Sequence, residues 1–228
     1  KTMLQSVRKG FGFRQTMTVG NTPATGGQSE FQIQTAPGKS TFKGDPVNIQ
    51  SAGNQGFLQN AAQATMDDGV TGGKAWANNA GATGGIAGVF NGAFYIDSTG
   101  KPTFANSVVA GVTTSKDYNT GSDNIIAFAN TNPAQEYTVR LNAALAGSAA
   151  AAQALLNSSN FFNPIDEVDG DAIDGLSRIT LSVATNGASA TNGMFRLVRN
   201  ANIEEQDDLL TAGAQVVVVI QPASALYN

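Results

Sequence analysis

The sequence predicts an all-β fold: a single β-sandwich or barrel domain with an extended N-terminal arm, a long irregular loop and one short Ala-rich helix. Three observations lead there. About eight to ten short segments alternate apolar and polar residues with the period of a strand, and turn dipeptides separate them. The composition is turn-rich, with 26 Gly among 228 residues and 13% charged residues, about half the usual charged share. Only one stretch has sustained helical spacing. The length suffices for one sizeable core, and all-β units of this size often stand as one domain.

The elements follow in chain order. Residues 1–28 read as an extended arm, followed by a β domain over 29–228. Phe11, Phe13, Met17 and Val19 fall on alternate positions between glycines, a spacing that fits a strand. A segment so rich in Gly and polar residues cannot form a core of its own. It lies on its own subunit or reaches a neighbour as a tether. Ser29–Thr35 alternates with Phe31 and Ile33 on one face, and Pro46–Gln50 is a second short strand. Ser51–Gly85 is dense in Gly, Asn, Ala and Asp and reads as a long surface excursion. Its Trp76, the one Trp of the chain, either pins this loop or contacts a partner.

Ile86–Asp97 reads as a long strand or a strand pair. Asn91-Gly92 favours a hairpin, but Phe90, Phe94 and Ile96 keep one parity, which favours a continuous strand with a bulge. Ser98–Lys101 is a turn into Pro102–Phe104. Asn124–Ala129 and Glu136–Leu141 are strands joined by Asn132-Pro133. Asn142–Asn157 is the expected helix: it is Ala-rich, and Leu141, Leu145, Ala149, Ala152 and Leu156 share one face. Pro164 follows its end. Ile179–Val183, Met194–Val198 and Gln215–Gln221 complete the strands. Val216–Ile220 is continuously apolar, as in a strand buried on both faces.

Composition also bounds the chemistry. The chain has no His and no Cys. It therefore lacks the commonest general base, the Ser-His-Asp triad, thiolate nucleophiles, disulfides and the usual transition-metal ligands. The phosphate-binding loop pattern fails at Gly73-Lys74, where Asp68 stands in place of the first Gly and Ala75 follows the Lys. Neither G-x-G-x-x-G nor G-x-S-x-G occurs. Paired carboxylates can cleave glycosides without His, but such sites use aromatic platforms, and most of the 12 Phe fall at strand spacing. The expectation is a non-enzyme with no cofactor and no bound metal.

Asp166, Glu167, Asp169, Asp171 and Asp174 form an acidic cluster. Its spacing does not fit an EF-hand loop, and a solvated loop is the expected reading over a cation site. The net charge is −4, with 13 basic residues scattered among 17 acidic ones, so no nucleic-acid partner is expected. No apolar run exceeds five residues, far short of a bilayer span, and no membrane partner is expected. Lys1–Gly10 shows no export-signal core.

One segment carries a resemblance. Gly88, Val89, Phe90, Asn91 and Gly92 lead through Phe94, Tyr95, Ile96 and Asp97 to Gly100, Lys101, Pro102 and Phe104. This resembles head cement or decoration proteins of tailed phages, chiefly marine and freshwater podoviruses. Those proteins carry a Gly-Val-Phe-x-Gly strand and an aromatic-acid-Gly-Lys-Pro turn. Asn132-Pro133 through Val139, Gly175–Leu181 and Phe195–Val198 are similar to later strands of that family, in the same order. The likeness spans about Gly88 to Gln221. The Asn142–Asn157 helix and the Ser51–Gly85 excursion depart from the pattern.

The resemblance implies a structural virion protein in many copies. It would bind the outside of the major capsid protein lattice, stabilise the mature head and associate with itself as a homo-oligomer. It would sit on the capsid surface of a virion assembled in the host cytoplasm. The capsid-binding residues expected are those of the arm, Phe11, Phe13, Met17 and Val19, with Trp76 as a further contact. Other readings are a head-fibre, neck or tail component, or a carbohydrate-binding β domain.

Overall fold

A computed structural model describes residues 10–19, 22–23, 27–34, 40–49, 57–60, 74–75, 86–114, 124–156, 158, 161–166, 170–183, 194–202 and 207–220. These hold seventeen strands and one helix. In order they are β1 (Arg14–Thr18), β2 (Thr22–Pro23), β3 (Gln28–Gln34), β4 (Thr41–Phe42), β5 (Pro46–Ile49), β6 (Leu58–Asn60), β7 (Lys74–Ala75), β8 (Ile86–Ile96) and β9 (Pro102–Ala105). Then come β10 (Ser107–Val108), β11 (Asn124–Asn130), β12 (Gln135–Arg140), α1 (Ala149–Leu155), β13 (Phe161–Phe162), β14 (Pro164–Asp166), β15 (Thr180–Leu181), β16 (Phe195–Asn200) and β17 (Gln215–Ile220). The fold is all-β, as the alternation predicted.

Two antiparallel sheets dominate. The first has the order β13-β16-β17-β12-β1-β2. The continuously apolar β17 is central in it and buried at all six positions. The second runs β3-β11-β8-β5-β6 and curls until β3 and β6, at its two ends, lie beside each other. Its long β8 serves two partners on one side: residues 86–89 pair with β5, and residues 93–96 pair with β9.

Each sheet has its own core. Tyr137, Val139, Phe162, Phe195, Leu197, Val216, Val218 and Ile220 fill the inner side of the first. Ile33, Val47, Leu58, Phe90, Ile125, Ala127 and Ala129 fill the second. Ile86 and Val89 of β8 join the first core, which ties the two sheets together. The corner at Gly44-Asp45 is a second tie. Gly44 N donates to Phe90 O at 2.8 Å, Phe90 N to Asp45 O at 2.8 Å, and Phe13 N to Gly44 O at 2.9 Å.

Several expectations are corrected. The segment read as an arm is, over residues 10–19, part of the β domain. β1 pairs with β12, and Phe13 is 3% exposed in the first core. The period-2 spacing was a strand signal, but its partner strand is 120 residues away and of the same chain. The helix is shorter than Asn142–Asn157. It starts after Ser148, whose side chain caps Ala151 N at 3.3 Å, and ends by Leu156. Before it, Asn142 N donates to Leu181 O and Leu145 N to Leu209 O, so this stretch is held by neighbouring loops. Ile179–Val183 contributes only the two residues of β15, Thr180–Leu181. Of the Ser51–Gly85 excursion the structure describes β6, β7 and Phe57; Trp76 lies outside the described residues.

Candidate interaction surface

β8 is the continuous strand with a bulge. Phe128 faces Gly92 and Ala129 faces Phe90, so Asn91 is the extra residue. Gly92 sits at φ 140°, in the region where a side chain is strained. The bulge reverses the facing of everything after it. Phe90 is buried in the second core, whereas Phe94, of the same parity, points outward. The single parity of Phe90, Phe94 and Ile96 is therefore broken in space.

That reversal builds an apolar strip on the outer face of the second sheet. Phe104 of β9, Phe94 of β8 and Ile126 of β11 stand opposite one another across three strands. The Phe94 and Phe104 rings lie 4.7 Å apart at a 44° tilt. Phe104 is 79% exposed and Ile126 37%. Ile96, Pro102 and Phe128 extend the strip along the same face. None of these six belongs to either core. The inner neighbours Ala93, Ile125 and Ala127 are buried, so the outer side chains stand on a packed base. An exposed aromatic row on such a base is the kind of surface that protein partners cover.

The turn beside the strip is fixed by Asp97. Its Oδ1 accepts from Thr99 Oγ1 at 2.6 Å, Thr99 N at 2.9 Å and Lys101 N at 3.0 Å. These bonds, that from the Thr99 hydroxyl first, hold its carboxyl below the usual 3.8. The turn delivers Pro102 into β9 and so places Phe104 against Phe94.

The residues expected from the sequence divide. Phe13 stacks inside the first core. Phe11 is 7% exposed, with the guanidinium carbons of Arg14 and Arg140 4.2 Å and 5.1 Å from its ring centroid. Gly12, at φ 71°, turns the chain between them, so the two rings do not share a face. Neither ring is available to fill a pocket on a neighbour, which corrects their assignment as capsid-binding residues. Met17 and Val19 are 43% and 55% exposed, although Val19 N is tied to Ala134 O at 2.8 Å.

In the acidic segment, Asp171 and Asp174 both pair with Arg178 Nη2, at 3.2 Å and 2.6 Å. Their other oxygens cap Ile173 N and Leu176 N. Asp171 and Asp174 thus share one cation, Glu167 and Asp169 lie outside the described residues, and among the described residues no group of three acidic side chains gathers around one point. Also among the described residues, no helix is long and apolar enough to cross a membrane.

Sequence reasoning missed the strip. One signal was available: Ile125, Ile126, Ala127, Phe128 and Ala129 are apolar on both parities, more than a strand with one solvated face needs. No family model, no curated protein and no solved structure matches the chain.

Proposed function

We propose that the chain is a structural virion protein that binds the outside of a major capsid protein lattice and stabilises the mature head. The observation that carries this reading is the strip of Phe104, Phe94 and Ile126, an apolar row exposed at Phe104 and Ile126 on the outer face of the second sheet. The ordered resemblance from Gly88 to Gln221 supplies the partner, and Phe94 and Phe104 of the strip lie inside its first segment, Gly88 to Phe104. The absence of His and Cys from all 228 residues favours work through surfaces over work through chemistry.

Physically, such a protein acts by linkage. It binds the mature shell and not the alternatives, and so lowers the free energy of the mature shell by mass action. Aromatic side chains at the centre of a contact carry a large share of its energy. Burying one Phe side chain contributes about 2 kcal/mol, and many copies on one lattice add through avidity. The contact is apolar at its centre, which makes it insensitive to salt.

The test is co-sedimentation of the purified chain with mature capsids that lack it. The wild type is expected to bind in hundreds of copies per particle, and Phe104→Ser to bind far more weakly while melting as the wild type does. A dozen copies or fewer would move the chain to the neck or tail. No binding to capsids would overturn the reading.

A further inference from the structure

Ile173 is the most exposed large apolar side chain among the described residues, 98% open to solvent. It stands at the tip of a short loop between Asp171 and Leu176 and belongs to neither core. Turn tips normally carry Gly, Asn, Asp or Ser, which relieve the backbone or bond to it. A branched aliphatic side chain at this tip adds nothing to folding, because folding leaves it in water.

The loop holds that side chain in one place. Asp171 N donates to Leu176 O at 3.0 Å and Gly175 N to Asp171 O at 2.8 Å, which closes the loop at its neck. Asp171 Oδ1 accepts from Ile173 N at 2.9 Å, and Asp174 Oδ1 from Leu176 N at 2.8 Å. Arg178 Nη2 bridges the second oxygens of both carboxylates. The neck is docked on the body of the domain: Lys43 N donates to Gly175 O and Ser177 N to Lys43 O, both at 3.0 Å. Gly175 lies so close to Asn106 that a Cβ would collide with the Asn106 side chain. The tip is therefore ordered before a partner arrives, and a contact through it forfeits little conformational freedom.

Its place in the fold joins it to the apolar strip. Asn106 Nδ2 donates to Asp174 O at 3.4 Å, so Asn106 meets the loop through its side chain. Asn106 follows Phe104 by two residues, a separation of at most about 7 Å. An ordinary protein contact covers about 800 Å² on each partner, a patch about 30 Å across. A partner seated on Phe104 and Phe94 therefore reaches the loop. We propose, on the reading that the strip binds a protein lattice, that Ile173 is a second anchor of the same contact. It enters an apolar pocket of the partner that takes a branched aliphatic side chain. Two carboxylates against one guanidinium leave the base of the tip net negative, which fits a pocket with a basic rim. Such rim charges select the pocket and speed the encounter, while the aliphatic tip holds the complex. Phe104 alone leaves the partner free to rotate about one point, and a second anchor fixes its register.

Co-sedimentation with mature capsids that lack the chain tests this through Ile173→Ser, Ile173→Thr and Ile173→Val, beside Phe104→Ser and the wild type. Ile173→Ser is expected to lower capsid affinity at least about tenfold, the scale of one aliphatic side chain kept in water, and to melt as the wild type does. Ile173→Thr keeps the branched shape but adds a hydroxyl, and a similar loss is expected; it carries the test should the Ser variant fold poorly. Ile173→Val is expected to stay within about fourfold of the wild type, the worth of one methylene. Ser and Thr variants that bind as the wild type does overturn the anchor, and a loss confined to Phe104→Ser then leaves the strip its role. A Val variant as weak as the Ser variant overturns the aliphatic pocket. A wild type that does not bind capsids overturns the proposed function and the anchor together.

Discussion

Phe13 lies flat against Phe195, with ring centroids 4.3 Å apart and planes 20° apart, while its edge meets Tyr137 at 6.3 Å. Phe13 thus completes the core of a sheet whose strands, β1 and β2 apart, come from the second half of the chain. Phe13→Ala removes both ring contacts and leaves a cavity. The expected loss is about 3–5 kcal/mol, measured by denaturant unfolding. Deleting Lys1–Gly20 is expected to lower stability at least as much, since it also removes β1. A truncated chain that melts with the wild type would refute the role given to Phe13.

Gly88 passes so close to Asn130 that a Cβ would collide with the Asn130 carbonyl oxygen. The obstacle is backbone, so it cannot rotate away. Gly88→Ala is expected to cost at least about 2 kcal/mol by forcing β8 from its neighbours. A change below about 0.5 kcal/mol, the ordinary scale for surface sites, would show that the strand yields there.

Phe104 separates binding from folding. It is 79% exposed, so Phe104→Ser is expected to change stability by no more than about 0.5 kcal/mol. Capsid binding by the same variant is expected to fall by at least about tenfold, since one buried Phe is worth about 2 kcal/mol. Parallel melting and sedimentation curves give both values. Full binding by the variant would detach the strip from function.

The Arg199–Glu136 pair is asymmetric. Glu136 is 4% exposed at its side chain and Arg199 39%. Arg199→Met leaves a carboxylate buried without its cation, whereas Glu136→Gln leaves an arginine that can turn to water. The first is expected to cost about 2–3 kcal/mol and the second about 1 kcal/mol. Equal losses in urea unfolding would contradict this account.

Asp97 gives the turn before β9 a pH limit. Its carboxyl is held below the usual 3.8. A lowered folded-state value adds stability that is present above the unfolded value and is lost as pH falls through the folded one. The turn is therefore expected to persist through pH 3.8 and loosen only below it. Amide shifts of Thr99 and Lys101 followed by NMR would report the midpoint, and a midpoint at or above the ordinary value would contradict the hydrogen-bond assignment.

Much of this was legible in the sequence. Alternation of polar and apolar residues placed β3, β5, β11, β12 and β17 within a residue or two, because a half-buried strand must alternate and a fully buried one must not. Turn chemistry marked Ser98–Lys101, which Asp97 holds. What alternation cannot carry is facing across an irregularity. Gly12 puts Phe11 and Phe13 on different sides, and the bulge at Asn91 does the same for Phe90 and Phe94. Each reversal is set by one backbone torsion or one unpaired residue, which a periodic reading passes over.

The sequence by itself determined that the chain forms strands and which residues are apolar enough to build a core. Only the tertiary structure decided where the surfaces are. Arg14, Arg140, Arg196 and Arg199 are scattered along the chain, yet strand register brings them to one face. Phe94, Phe104 and Ile126 become neighbours only once β9, β8 and β11 pair. The physical reason is that side-chain period is a local property of the backbone, whereas pairing joins strands distant in sequence.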